Sequence, residues 1–273
     1  FVNEGFQVDP TLLSVIDIST LSFLFGFQIY FDFAAYSHIA LGSALLMGIK
    51  FPENFNFPYS ASSPRDFWQR WHISLSSWIR DYLYLPLMGI TPKNRSKGGL
   101  MIKKKTSSFR TTIALFTTWA VMGLWHGSNW TFIVWGLWHA ILISIYRLIL
   151  ATVNQYYFNS KLKVIGSLLS FYFIMLGWLS FRASSLQDLW HMLSSFFDPH
   201  RWFSLGLREN TYLAATIFLF LVMLGPRLWK AVQYMIKYNT PISNLTLWML
   251  LILLMPFLLI YLRPLEQFIY FQF

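Results

Sequence analysis

The stretch that decides the fold is Thr111–Leu150, which reads TTIALFTTWAVMGLWHGSNWTFIVWGLWHAILISIYRLIL. It is apolar over a length that suits two membrane-spanning helices, since about 20 such residues cross a bilayer. Its only charged or imidazole side chains are those of His126, His139 and Arg147. Helical rise from Arg110 places His126 about 24 Å along the axis, inside a hydrocarbon core of about 30 Å. Ionisable residues at that depth usually face a bundle interior or a wet cavity, so the pattern predicts a functional site at His126.

Two glycines, Gly123 and Gly127, flank this part of the chain. Glycine loosens a helix and lets another backbone or a substrate approach closely. Ser128 follows and is expected to cap a second helix. The pattern therefore predicts an imidazole at an interruption between two spans, exposed to a cavity and not to lipid. His139 is expected at a different depth from His126 unless the chain folds back.

The composition is that of a membrane protein. Of 273 residues, 56% are hydrophobic and 20% are aromatic, which is too apolar for an ordinary soluble domain. We expect an all-α fold, a polytopic transmembrane helical bundle with interfacial or re-entrant amphipathic helices, in a single membrane-embedded domain over residues 1–273. The chain has no cysteine, which excludes disulfides and thiol catalysis. Phe1–Pro10 contains neither an initiator methionine nor a signal-peptide pattern, so we expect that an amino-terminal portion is missing.

Further apolar segments are long enough to cross a bilayer. Residues 11–49 are interpreted as one tilted span followed by a second, broken one, because polar residues interrupt them. Among these, Asp32 and His38 lie about 120° apart around a helix and have no third ligand nearby, so we predict a polar contact between helices and no metal site. The remaining predicted spans are residues 164–181, 212–229 and 245–262.

The net charge of +10 is concentrated in one segment, Lys93–Arg110, which has seven cations and no acidic residue. Such a loop is retained on the cytoplasmic side of a membrane and attracts anionic lipid. The alternative interpretation is that this segment specifically binds an acidic carrier protein or a phosphorylated cofactor. Nucleic acid is not expected as a partner of a chain embedded in a bilayer.

A helix start is predicted at Ser63, with Pro64 at the first helical position and Asp66 completing a capping box. From there to Arg80, apolar residues cluster on one side of a helical projection and polar residues on the other. His72 falls on the seam between the two faces. The sequence therefore predicts one amphipathic helix, with His72 either at a wet membrane interface or in a functional cavity.

Histidine carries the chemistry that the residues suggest. The chain has no glycine-rich phosphate loop, HExxH, GxSxG or acidic metal cluster. A buried neutral imidazole can act as a general base that takes a proton from a hydroxyl, which then attacks an activated acyl carbon. From the residues alone, a membrane enzyme and a proton-coupled transporter both remain open.

Two motif-bearing stretches resemble the membrane-bound O-acyltransferase (MBOAT) family. Phe67–Leu87 reads FWQRWHISLSSWIRDYLYLPL, and GLWHG at 123–127 is followed by WGLWH at 135–139. The resemblance is strongest to the bacterial branch that contains the alginate O-acetylation membrane subunit and the D-alanyl-lipoteichoic acid transferase. FPENF at 51–55, FRA at 181–183 and FIYFQF at 268–273 favour the alginate type.

The resemblance implies a helical bundle with a central tunnel, which an acyl thioester enters from the cytoplasm and a hydroxyl acceptor from the outer side. His126 matches the essential histidine of the family and is assigned the general-base role. His72 matches the second histidine, which would line the cavity as a second catalytic residue, and His139 matches a position where support is expected. The residues expected to contact substrate are Trp71, Arg80, Asp81, Trp125 and His139.

The resemblance thus implies an O-acyltransferase of the bacterial inner membrane. It would move an acetyl group from acetyl-CoA or another acyl thioester, with no permanently bound cofactor, toward an extracytoplasmic polysaccharide or a periplasmic partner protein. The alternatives are an inactive remnant or scaffold subunit and a proton-coupled exporter. Two features depart from the branch: Ala35 and His38 stand where glycine and aspartate are common, and the chain is short.

Overall fold

The computed structural model describes residues 2–90, 107–152 and 160–238, together with Met249. The described residues form helices and turns without any β-strand, which confirms the all-α prediction. The α-helices are α1 (Val2–Gly5), α2 (Val15–Leu46), α3 (Pro64–Trp68), α4 (Ile73–Ile79), α5 (Leu85–Leu87), α6 (Ser108–His126), α7 (Trp130–Thr152), α8 (Ser160–Arg182), α9 (Leu186–Ser194) and α10 (Glu209–Tyr238). Shorter helical turns occupy Pro58–Ser60, Arg80–Tyr84, Ser195–Phe197 and Pro199–Arg201.

Three of the described helices are long and apolar enough to cross a membrane: Val15–Leu46, Trp130–Thr152 and Val164–Arg182. The predicted span at residues 212–229 lies within α10. The predicted span at 245–262, apart from Met249, and most of the basic segment, residues 93–106, lie outside the described residues. Together the long apolar helices confirm a helical membrane protein.

The chain divides into two compact units, residues 1–215 and 216–273. The candidate site and all contacts discussed below belong to the first unit. The second unit begins within α10. That residues 1–273 form a single membrane domain stays a prediction.

The prediction of a broken second span within residues 11–49 is wrong, because α2 is one continuous helix of 32 residues. Its polar residues do not interrupt it. Ser14 and Asp17 form a reciprocal capping box at its start, with N···O distances of 3.0 and 3.1 Å. His38 Nδ1 lies 2.7 Å from the carbonyl oxygen of Ala34 in the same helix, so the predicted interhelical contact of His38 is replaced by an intrahelical one.

Helices α6 and α7 form a tight antiparallel hairpin in which glycines allow the backbones to touch. A Cβ atom on Gly123 would lie 2.3 Å from the carbonyl oxygen of Phe132. A Cβ on Gly136 would lie 2.1 Å from the carbonyl oxygen of Trp119. The expected close approach of another backbone at Gly123 is therefore confirmed.

The turn of this hairpin begins directly after His126, as the sequence predicts. The second helix starts one residue later than a Ser128 cap requires. Asn129 caps it instead: its Oδ1 accepts the backbone N–H of Thr131 at 3.2 Å. The prediction of a Ser128 cap is therefore wrong. The helix begins at Trp130, so Asn129 occupies the N-cap position and its side-chain oxygen binds the N–H group of Thr131.

Helix α8 packs against both α7 and α2. A Cβ on Gly177 would lie 2.9 Å from the ring of Trp138 in α7, and a Cβ on Gly26 in α2 would lie 2.6 Å from the sulfur of Met175. The indole N–H of Trp138 also donates to the carbonyl oxygen of Phe173 at 2.8 Å. The hairpin is thereby held against α8 by close packing and a hydrogen bond.

The segment after α2 differs from its prediction as one amphipathic helix. The predicted start is confirmed, since Ser63 Oγ accepts the backbone N–H of Asp66 at 3.1 Å. However, α3 ends at Trp68, and His72 adopts a left-handed conformation with φ 43° before α4 begins. Asn56 donates its backbone N–H to the Arg70 carbonyl at 3.0 Å, and Ile73 donates to the Asn54 carbonyl at 2.9 Å. These long-range bonds fold the loop across the break, which the helical pattern alone cannot reveal.

Asp66 holds this segment together in a way that differs slightly from the predicted capping box. Its carboxylate accepts the backbone N–H of Ser62, one residue before the cap, at 2.9 Å, and the Nε–H of Arg70 at 2.7 Å. Burial raises the pKa of Asp66, but the hydrogen bonds from Arg70 and Ser62 lower it by more, so that the net pKa lies below its ordinary value. The carboxylate therefore ties the start of α3 to the break that follows it.

Candidate active site

His126 is the last residue of α6 and lies among aromatic rings. The ring centroids of Trp125, Trp135 and Phe181 lie 4.9, 4.9 and 5.0 Å from that of its imidazole. The side chain remains partly exposed. His126 therefore lies at a helix end, shielded from solvent by aromatic rings on several sides. Its exposed part remains accessible to a substrate.

His72 lies close to His126, although 54 residues separate them in sequence. Its imidazole packs edge-on against Phe33 with ring centroids 4.7 Å apart, and it lies 6.4 Å from the ring of Trp125. The ring of Trp125 contacts both imidazoles, with centroids 6.4 Å from that of His72 and 4.9 Å from that of His126. Burial lowers the pKa of His72 to about 4, so its imidazole is neutral at pH 7. The structure thus brings together the two residues predicted to be catalytic.

Asn54 fixes the position of His72. Its Oδ1 lies 3.0 Å from His72 Nδ1 and also accepts hydrogen bonds from Ser74. Sequence reasoning missed this residue, although it is part of the FPENF motif. The signal was present as an asparagine in an irregular apolar loop, but its partner could not be identified without the fold.

His139 is fully buried, on the far side of the Trp135 ring from His126. The indole N–H of Trp68 donates to His139 Nδ1 at 3.3 Å. The ring of Trp135 contacts both histidines, with centroids 4.9 Å from His126 and 5.1 Å from His139. The chain folds back at the hairpin, so that one indole separates the two imidazoles. This location suits support of the site, and a substrate contact for His139 stays a prediction.

The two tryptophans expected to contact substrate differ in their exposure. Trp71 is only 2% exposed and packs against the ring of Trp178 at 5.0 Å. Trp125 is 57% exposed and contacts the rings of both His72 and His126. Trp125 therefore offers surface to a ligand, whereas Trp71 is packed among other aromatic rings in the core.

A cavity of about 650 Å³ lies beside this site, between the α3–α5 segment and the α6–α7 hairpin. Its described lining includes the arginines Arg65, Arg80 and Arg147. Trp119 and Met122 of α6 form part of its apolar lining. Met122 precedes His126 by one helical turn, about 6 Å along the axis.

The charged side chains of this cavity are partly held by neighbours. Arg80 Nε donates to Asp81 at 2.8 Å, and Arg147 donates to the hydroxyl of Tyr84 at 3.1 Å. Of the predicted substrate contacts, Arg80 lines the cavity and Asp81 pairs with it. Arg65 and Arg147 were not predicted there. The signal for Arg147 was its charge within an apolar helix, since such residues usually face a cavity or a partner.

These features define a class of protein: a helical membrane protein with two histidines converging at the end of a helical hairpin, beside an arginine-lined cavity. Comparison with known families agrees with that class and narrows it. The chain belongs to the membrane-bound O-acyltransferase family, MBOAT, whose model matches residues 4–187.

Several curated relatives share this region. The probable alginate O-acetylase AlgI of Pseudomonas aeruginosa is 43% identical over 175 residues, which cover 64% of this chain and 30% of that protein. The peptidoglycan O-acetyltransferase of Helicobacter pylori is 40% identical over 188 residues, or 69% of this chain and 33% of that protein. The teichoic acid D-alanyltransferase of Bacillus subtilis is 33% identical over 170 residues, or 60% of this chain and 41% of that protein. The chain thus spans well under half the length of these relatives.

Proposed function

We propose that this chain is the site-bearing part of a bacterial inner-membrane O-acyltransferase, which moves an acetyl or other acyl group from a cytoplasmic thioester to hydroxyls of an extracytoplasmic polysaccharide. The observation that carries the proposal is that the ring of Trp125 contacts both His72 and His126, while His126 lies one helical turn from Met122 in the lining of the arginine-lined cavity. The names of the relatives support the reaction class, since they describe acetylation of alginate or peptidoglycan and D-alanylation of teichoic acid. A periplasmic protein could receive the acyl group before the polymer does.

His126 is assigned the role of general base. Its neutral imidazole removes the proton of the acceptor hydroxyl as the oxygen bonds to the carbonyl carbon of the thioester. The C–S bond then breaks, and the imidazolium returns the proton to the departing thiolate. Proton transfer of this kind contributes about 10²- to 10⁴-fold to a rate.

His72 is assigned to hold the donor or the acceptor against His126. It is neutral at pH 7, so one ring nitrogen donates a hydrogen bond and the other accepts one. A neutral imidazole beside His126 also avoids placing a second positive charge next to the imidazolium that forms during the reaction. Like-charge repulsion there would oppose the proton transfer.

The cavity is assigned to the acyl donor. Thioester carriers such as coenzyme A bear phosphates, which arginine binds well because its planar guanidinium offers several N–H donors. The apolar chain of the donor would lie along Trp119 and Met122, leading toward His126. Arg147 lies toward the end of α7 that neighbours the start of α6, and the cationic segment preceding α6 favours the cytoplasmic side there.

The direct test is acyl transfer by the purified protein in lipid. Radiolabelled acetyl-CoA is supplied with a polysaccharide acceptor, and thioester consumption and polymer labelling are measured. We expect His126→Ala to lose at least about 100-fold of the rate. His200→Ala is the matched control, because His200 is exposed on a turn and should leave the rate unchanged.

Folding of each variant is checked by its thermal unfolding midpoint. A folded His126→Ala protein that transfers acetyl at the wild-type rate would overturn the general-base assignment. A wild-type protein that supports acetylation in cells only through other subunits, with no turnover of any thioester, would favour the scaffold alternative. Polymer flux into vesicles without an acyl donor would favour the exporter.

A further inference from the structure

We propose that Asn54 is a positioning residue that fixes the tautomer of His72, keeping the proton on Nδ1 and the lone pair on Nε2. The inference concerns the hydrogen-bond network between the loop after α2 and the start of α4. It deepens the role of His72 and rests on the proposed function only for its effect on activity.

The network is centred on the side-chain amide of Asn54. Its Oδ1 lies 3.0 Å from His72 Nδ1, 3.3 Å from the backbone nitrogen of Ser74 and 2.9 Å from the Ser74 hydroxyl. Its Nδ2 donates to the hydroxyl of Ser37 in α2 at 3.2 Å. Both ends of one amide are thereby engaged, and they link α2 to the start of α4.

The orientation of the amide follows from one obligatory donor. The backbone N–H of Ser74 can only donate, so the atom that faces it must be the amide oxygen. The opposite end of the amide then presents its NH₂ group to Ser37, whose hydroxyl oxygen can accept. The amide has no alternative orientation that satisfies both contacts.

The tautomer of His72 follows from that orientation. An amide oxygen accepts and cannot donate, so the contact with His72 Nδ1 requires a proton on Nδ1. Ser74 Oγ also lies 3.3 Å from this nitrogen, but it donates its one proton to Asn54 Oδ1 and so acts as an acceptor toward Nδ1. A neutral imidazole carries one N–H, and Nε2 therefore bears the lone pair. His72 thus presents a hydrogen-bond acceptor on the side of the ring away from Asn54.

Backbone contacts hold His72 in position relative to Asn54. Ile73 donates its N–H to the carbonyl of Asn54 at 2.9 Å, so the residue after His72 is bound by the same asparagine. His72 itself holds a left-handed conformation, φ 43°, that non-glycine residues adopt rarely and only where surrounding contacts impose it. Phe33 packs against the edge of the imidazole. The loop therefore sets both the position of the ring and the identity of its accepting nitrogen.

The tautomer decides which kind of hydrogen bond His72 can form with a substrate. With its lone pair on Nε2, His72 can accept a hydrogen bond from a second, non-reacting hydroxyl of the acceptor and so hold the reacting hydroxyl toward His126, which takes its proton. The opposite tautomer would present an N–H group and could not accept. Asn54 would then influence acyl transfer without touching the substrate.

Nitrogen-15 magnetic resonance of histidine-labelled protein in lipid tests the assignment directly, because protonated and unprotonated ring nitrogens differ strongly in chemical shift. The signals of His72 are identified by their loss in His72→Gln. We expect the wild type to show a protonated Nδ1 and an unprotonated Nε2. Asn54→Asp keeps an acceptor in place and should keep this pattern, whereas Asn54→Ala should shift population to the Nε2–H form.

Asn56→Ala is the matched control, because Asn56 belongs to the same loop and has an exposed side chain. It should retain the wild-type spectrum. In the acetyl-transfer assay we expect Asn54→Ala to lose about 10-fold or more of the rate, comparable to the effect of losing a residue that orients a metal-bound histidine. Asn54→Asp should recover part of that loss, and a purely structural role would not distinguish the two variants in the spectrum.

The outcomes separate this inference from the proposed function. A wild-type protein with the proton on Nε2, or an Asn54→Ala protein with an unchanged tautomer, would overturn the inference whatever the enzyme does. If the expected spectra are obtained but His126→Ala retains full acyl transfer, the tautomer assignment stands and the proposed function fails.

Discussion

Gly123 of α6 and Phe132 of α7 meet backbone to backbone, so that a Cβ on the glycine would lie 2.3 Å from the carbonyl oxygen of the phenylalanine. The site depends on this contact, because α6 ends at His126 only one turn later. Any side chain at Gly123 must push the two helices apart and move His126 relative to Trp135.

We therefore expect Gly123→Ala to destabilise the protein by about 1–3 kcal/mol, the usual cost of overpacking. The thermal unfolding midpoint in lipid should fall, and acyl transfer should fall with it. Gly42→Ala is the control, since Gly42 has open space around its position in α2. Alanine is favoured over glycine in a helix, so this control should match or slightly exceed the wild-type midpoint. Equal midpoints for the two variants would contradict the close-contact argument.

The hydrogen bond from Trp68 to His139 makes a second prediction. Trp68→Phe keeps an aromatic ring but removes the N–H group, leaving the buried Nδ1 of His139 without its donor. An unsatisfied buried polar atom costs about 1–3 kcal/mol, so the unfolding midpoint should fall. Trp190→Phe is the control because Trp190 is exposed in α9, and it should leave the midpoint unchanged.

A double-variant cycle with His139→Phe distinguishes the hydrogen bond from simple loss of packing. If the bond matters, Trp68→Phe should cost clearly less when His139 is already absent. Equal costs in both backgrounds would assign the effect to packing volume alone.

Hydropathy and glycine spacing predicted the part of the fold that local sequence determines. The run around His126 indicated two spans with an interruption. The structure has two helices there, α6 and α7, with the interruption directly after His126, and of the two α7 is long and apolar enough to cross a membrane. The start of α3 was predicted equally well, since a cap depends on neighbouring residues such as Ser63 and Asp66.

The break before α4 could not be predicted in this way. It depends on two backbone hydrogen bonds, one donated by Ile73 to the Asn54 carbonyl and one donated by Asn56 to the Arg70 carbonyl, which join residues 19 and 14 positions apart. The positive φ of His72 is stabilised by those distant partners and has no glycine to signal it. For the same reason the sequence could not predict that Arg65 and Arg147 line one cavity, because they lie on separate helices that are brought together by packing.

Asp66 gives a prediction for pH dependence. Because its net pKa is lower in the folded state than its ordinary value, its contribution to stability is fully present above that ordinary value and is lost as the pH falls through the folded pKa. Asp66→Asn should therefore lower the unfolding midpoint at pH 7. The difference from the wild type should shrink as the pH is lowered below the ordinary range of an aspartate.

The comparison requires thermal unfolding in lipid across a series of pH values. Asp198→Asn is the control, because Asp198 lies outside this segment and its carboxylate accepts an exposed hydrogen bond from His200. A difference for Asp66→Asn that stays constant down to the lowest pH would mean that the carboxylate charge does not stabilise the break.

Arg147 tests the assignment of the cavity to the acyl donor. Its guanidinium lines the cavity and donates to Tyr84 at 3.1 Å, while Ile143, one turn earlier in α7, lies in the apolar lining. If Arg147 binds an anionic group of the donor, Arg147→Gln should raise the KM for acetyl-CoA with little change in kcat. A charge-assisted hydrogen bond contributes about 1.5–3 kcal/mol, which corresponds to roughly 10-fold or more in KM.

Arg208→Gln provides a matched loss of charge, since the Arg208 side chain is exposed and forms a long surface pair with Glu4 at 3.9 Å. It should leave both kinetic constants unchanged. Raising the salt concentration should weaken donor binding in the wild type more than in Arg147→Gln, because the variant has already lost one ionic contact. An unchanged KM in a folded Arg147→Gln protein would move the donor out of this cavity, while a fall in kcat alone would place Arg147 in support of α7 and Tyr84 instead of donor binding.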